Sequence, residues 1–200
     1  MKISDDLEKL FPFGYLFLIM MGILKDSIYY YQFGINILRY STIMDVLISP
    51  IAEFTSNPII LGAIIILFVI HFYLPSFLAK YKNVAYVKRS FELKSTDELT
   101  PEETKSYYNS IAIKSLVLFL LSFFLGYGFA GGYFTTKKLK ENKLDYSFQI
   151  DFNGGESKNV YVIGNNSLYY FYFVKGDKKI KITPLASIKN IELIENKMID

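Results

Sequence analysis

Gly126-Tyr127-Gly128-Phe129-Ala130-Gly131 carries the G-x-G-x-x-G spacing that lets a backbone wrap a pyrophosphate. That chemistry needs a strand before the first glycine and a helix opening at the last. Here the glycines close a long apolar run and lead into Gly132 and Tyr133, so nucleotide binding is not the expected use. Glycines in a membrane helix instead let two backbones approach. Gly126, Gly128, Gly131 and Gly132 are therefore helix-packing candidates, with Gly128 and Gly132 on one face. The bland alternative is a kinked helix end facing lipid.

Three residues are candidates for intramembrane polar chemistry. Lys25 and Asp26 interrupt the first apolar run, and His71 is the strongly polar residue of the second clear one. Charges in hydrocarbon are costly and by default mark a function. Tyr29, Tyr30 and Tyr31 follow Lys25 and place that depth near the interface, where a lysine snorkels to the headgroups. His71 is of the residue type that serves as a proton relay or a pH sensor. Its own span offers no acid or second histidine, so helix packing or an interfacial position is the expected role. Lys114, at the start of the third run, is expected to snorkel.

Composition removes most enzyme chemistry. The chain has no Cys and one His, which excludes disulfides, thiol catalysis, Ser-His triads and most zinc sites. Paired carboxylates and metal-ligand spacings do not appear in the spans. No catalytic residue, cofactor or metal is expected. A net charge of +3, spread along the chain, does not suit nucleic acid.

These residues must be positioned by elements of two kinds. The first 135 residues read as a transmembrane helical domain and residues 144–200 as a small β domain, joined by a basic linker over 136–143. Helical spans are expected at about 10–33, 58–79 and 111–134. The apolar core from Phe11 to Leu24 covers only about 21 Å against a hydrocarbon thickness of about 30 Å, so the first span carries Lys25 and Asp26 near its end. A cleaved signal peptide fits poorly, because Asp5, Asp6 and Glu8 precede the run. Residues 35–56 read as an interfacial or partly re-entrant helix pair bent at Pro50, with Ile43, Val46, Leu47, Ile51 and Phe54 at near-helical spacing and Glu53 among them. Ser56-Asn57-Pro58 opens a helix, and within a polar loop over 80–110 Thr100-Pro101-Glu102-Glu103 forms a capping box. A helix from that box through the third run is ~50 Å long.

Beyond Lys143 the period changes to two. Phe148 to Phe152, Val160 to Ile163, Leu168 to Val174, Ile180 to Ile182 and Ile188 to Ile194 are strand candidates, separated by Asn153-Gly154-Gly155, Gly164-Asn165-Asn166 and Gly176-Asp177. Five short strands, with a helical turn over 183–188 before the last, predict a small SH3-like or Sm-like barrel. Leu168-Tyr169-Tyr170-Phe171-Tyr172-Phe173-Val174 is apolar on both faces. It reads either as a central strand buried on both sides or as an interaction surface through Tyr169, Tyr170 and Tyr172.

With three spans the N-terminus shares a side with the 80–110 loop. Lys2, Lys9, Lys80, Lys82, Lys88, Arg89, Lys94 and Lys105 lie there, against Arg39, Lys137, Lys138, Lys140 and Lys143 on the other side. The balance favours a cytoplasmic N-terminus in a multi-pass protein of the cell membrane. The expected function is a membrane-anchored interaction or sensory protein that presents its β domain beside the bilayer. Its partners are the lipid bilayer and, through the β domain, another protein or a second copy. Three spans, a Gly-rich third helix and a β domain behind it resemble the layout of small-conductance mechanosensitive channels. That resemblance implies an oligomeric pore, with the third helix at a packing interface and the β domain in the cytoplasm.

Overall fold

A computed structural model of the chain describes residues 3–194, and the side chains of these except at 3–11, 53 and 54. The charges of Lys2, Asp5, Asp6, Glu8, Lys9 and Glu53, the ring of Phe54 and residues 195–200 lie outside what is described. In chain order come helix α1 (Ile3–Tyr31), a three-ten turn (Ile37–Arg39), and helices α2 (Ile43–Ser56), α3 (Pro58–Lys80), α4 (Ala85–Ser90) and α5 (Pro101–Lys140). Strands β1 (Phe148–Phe152), β2 (Ser157–Asn165), β3 (Tyr169–Val174), β4 (Ile180–Pro184) and β5 (Ile188–Leu193) follow. Two of the described helices, α3 and α5, are long and apolar enough to cross a membrane.

Helix starts are set by local chemistry. The Asn57 side chain accepts from the N–H groups of Ile59 and Ile60 at 3.0 and 3.4 Å, with Pro58 at the first helical position. Thr100 and Glu103 form the expected capping box: the Glu103 carboxylate takes the Thr100 N–H and hydroxyl at 2.9 and 2.7 Å, and the Glu103 N–H donates back at 3.3 Å. Those bonds hold the Glu103 carboxyl below its ordinary range. From this start α5 continues for 40 residues, ~60 Å, to Lys140. Most of the 136–143 segment is thus the last turn of a helix. The 35–56 segment is one short turn and one helix, with Pro50 inside it, not a bent helix pair.

The chain forms two compact units, residues 51–123 and residues 1–50 with 124–200. In the first, α3 buries one stripe, Ile64, His71, Leu74 and Leu78. Leu74 and Leu78 meet Tyr108 and Ala112 of α5, and Val87 and Leu93 close the cluster. The expected polar loop after residue 80 is therefore partly a folded cap, containing α4. The Lys94 N–H donates to the Tyr107 hydroxyl at 2.8 Å and Lys82 pairs with Asp97 at 3.8 Å.

In the second unit the strands pair antiparallel in the order β4-β3-β2-β1-β5. All five strands and the short turn Leu185–Ser187 occur near their expected places, but β2 is longer than Val160–Ile163 and includes Gly164 and Asn165 of the expected turn. The expected barrel does not form: the sheet is open, with β4 and β5 as its edges. The reason lies in which faces are apolar. Ile150, Val160 and Tyr172 cluster with Ile188 and Ile191 on one face. On β4, however, Ile180 and Ile182 join the opposite cluster, with Phe171, Phe173 and Tyr30. That leaves Lys181 and Thr183 on the face a barrel would enclose, and closing β4 onto β5 would bury a lysine. Pro184 also ends β4 without an N–H to donate.

Candidate functional site

Several polar side chains, among them Lys25, Asp26, Gln32 and Asp45, converge where the end of α1 meets α2, α5 and the sheet. Close backbone approach creates this junction. A Cβ on Gly128 would stand 2.6 Å from the Lys25 carbonyl oxygen, and one on Gly131 would rest on the Tyr29 ring at 3.4 Å. A Cβ on Gly132 would collide with the Gln32 amide and stand 3.0 Å from the Tyr29 carbonyl oxygen. Gly126 faces open space. Three of the four glycines therefore seat α5 against α1 of the same chain. The contact that an oligomeric pore would place between subunits is made internally at those three. A fourth approach was not read from the sequence. Pro50 has no N–H for the Val46 carbonyl, and Gly22 of α1 rests directly against that carbonyl oxygen.

Lys25 and Asp26 lie in this junction. Lys25 is 7% exposed and donates to the Ser49 hydroxyl of α2 at 3.0 Å, while its ammonium pairs with Asp26 at 3.1 Å. It is not a snorkelling side chain but a buried tie between α1 and α2. About two turns on, the Gln32 amide donates to the carbonyls of Phe129 at 3.0 Å and Gly128 at 3.4 Å. Those carbonyls sit beside the glycines that bring α5 within reach.

The tyrosines after Lys25 have separate fates. Tyr31 is exposed. Tyr30 is buried edge-on against Phe171 of β3, centroids 5.1 Å apart, with its hydroxyl against Gly164. The Tyr29 hydroxyl donates to the Ile163 carbonyl at 2.8 Å. Tyr40 packs on Tyr169 and Phe171, and its carbonyl accepts from the Asn166 side chain at 3.0 Å. Asp45 caps α2 through Thr42 and also accepts from the Ser167 N–H and hydroxyl at 3.0 and 3.1 Å. Burial pushes the Asp45 carboxyl up, but the four hydrogen bonds from Thr42 and Ser167 outweigh it and hold the group below its ordinary range. Thr42-x-x-Asp45 is a capping signature legible in sequence; Ser167, 122 residues on, is not.

Of the β3 tyrosines, Tyr172 is buried and its hydroxyl bonds to Thr183 at 3.0 Å. Tyr170 is half-buried on the same face, and Tyr169 half-buried on the other. His71 stands apart, in the 51–123 unit. Its Nδ1 donates to the Leu67 carbonyl at 2.8 Å, and its Nε2 shares a hydrogen bond with the Ser115 hydroxyl at 3.2 Å. That bond, with Phe119 edge-on, ties α3 to α5. Lys114 is exposed. Among the described residues no cluster of His, Asp or Glu is arranged to hold a metal. No known protein family, curated protein or solved structure matches this chain.

Proposed function

We propose that this is a multi-pass membrane protein, a membrane-anchored interaction or sensory module that holds its β sheet against the bilayer surface for a partner. The observation that carries the reading is the outward surface of α3. Only 17% of its most apolar stretch is buried, while Ile59, Ile65, Ile66, Phe68 and Phe72 are all exposed. Each such side chain gains about 1.5–3 kcal/mol on leaving water, and one narrow internal stripe cannot accept them. A bilayer can. The corresponding stretch of α5 is 22% buried, with Ile113, Leu118 and Phe119 exposed. Interaction is favoured over catalysis because Lys25, Gln32 and Asp45 are engaged in ties between elements.

The chain has no native cysteine, which makes the test direct. Membranes from cells expressing the full chain are extracted with alkaline carbonate, and single cysteines at Asn83 and Lys178 are labelled with an impermeant maleimide. Retention in the pellet, with the two positions reactive from opposite sides, is expected. Release by carbonate, or labelling of both from one side, overturns the reading.

A further inference from the structure

We propose that the exposed face at the end of α5 binds anionic phospholipid headgroups; this rests on α5 crossing a bilayer. Gly128, Gly132, Thr135 and Leu139 turn one face of the helix inward, onto α1 and the sheet. The other face is exposed and ordered along its length. Phe129 and Tyr133 stack with centroids 6.3 Å apart and planes 10° apart, and Phe134 lies beside Tyr133. Lys137 and Lys138 follow at intervals of four from Tyr133 and Phe134, and Lys140 lies farther out, all exposed. Tyr133 and Phe134 thus each have a lysine about one 5.4 Å turn beyond them, and Phe129 lies one turn before Tyr133. Apolar ring, phenol, then cation is the order of acyl chain, glycerol region and phosphate met on leaving a bilayer.

Charge density selects this end. Residues 137–143 hold four lysines and one acid, Glu141, which Lys143 pairs with at 2.9 Å. Residues 80–105 hold six cations but five acids and are nearly neutral. A second copy of the chain on this face would set lysine against lysine, whereas an anionic leaflet neutralises the row.

The test titrates the purified full chain, in neutral detergent, with phosphatidylglycerol or phosphatidylcholine and counts bound lipid by native mass spectrometry. Each lysine near an anionic surface is worth about fivefold in affinity, so three predict a preference on the order of a hundredfold at low salt. The preference is expected to fall to near parity in K137Q/K138Q/K140Q and to persist in K88Q/R89Q. Raising salt from about 0.05 to about 0.5 M is expected to erase it in the unmodified chain, a measurement that needs no variant. Equal binding of the two lipids, a preference that survives the triple change, or displacement of phosphatidylglycerol by equimolar glycerol phosphate overturns the proposal. A chain that resists carbonate extraction but shows no preference refutes headgroup binding alone. One released by carbonate refutes the membrane reading instead.

Discussion

At the scale of single residues, the four glycines near the end of α5 differ in what a methyl group would meet, and that sets an order of effects. At Gly128 the obstacle is the Lys25 backbone carbonyl, 2.6 Å from an added Cβ, which cannot move without moving α1. Gly128→Ala is expected to lower stability by about 1–3 kcal/mol. At Gly132 the nearest obstacle is the Gln32 amide, the end of a flexible side chain, so Gly132→Ala should cost less and act mainly by displacing the bond to the Phe129 carbonyl. Gly126 meets open space, and Gly126→Ala should gain about 0.5–1 kcal/mol through helix propensity. Thermal unfolding of the three variants in detergent checks the ranking; equal losses at all three positions would contradict it. The sequence placed Gly128 and Gly132 on one face by their spacing. It could not say that α1 occupies that face, or that Gly126 is idle.

At the scale of elements, α2 is fastened by a carboxylate shared between its own cap and the turn after β2. The sequence carries the cap, Thr42-x-x-Asp45, but Ser167 reaches it only through folding. A carboxyl whose folded pKa is depressed contributes stability that is fully present above the unfolded value and is lost as pH falls through the folded one. The contribution of Asp45 should therefore be constant above about pH 5 and fade below about pH 4. The melting-temperature difference between the native chain and Asp45→Asn is expected to shrink over that interval, and a difference independent of pH would remove Asp45 as its source. The Lys25–Asp26 pair shows a related limit. A lysine followed by tyrosines reads as an interfacial residue. Its burial depends on Ser49, which α2 delivers by doubling back after the turn at Ile37–Arg39.

At the scale of the molecule, the β sheet is clamped to the end of α1 through Tyr29 and Tyr30, and to the turn after it through Tyr40, rather than hung from α5 on a linker. Tyr30→Ala removes the ring that fills the space between Phe171 and Gly164. By analogy with other large buried aromatics it should cost about 3–5 kcal/mol. The sheet should then loosen while the apolar helices stay in place. Limited proteolysis is expected to cut the variant faster near residues 141–147, with carbonate resistance unchanged; an unaltered digestion rate would mean that the clamp lies elsewhere.

The sequence by itself determined whatever depends on neighbours along the chain. Period and length gave the two long apolar helices and the five strands. Asn57-Pro58 and Thr100 through Glu103 gave helix starts, because a cap needs partners only two or three residues away. Tertiary structure decided whatever depends on which face meets which. Ile180 and Ile182 alternate as any half-buried strand does, and nothing local says that their side of β4 faces Tyr30 of α1 while Ile150 of β1 and Val160 of β2 pack on the other face. That choice leaves the sheet open. The alternating tyrosines of β3 then lie on two cores instead of one, and the glycines of α5 become the seat of α1.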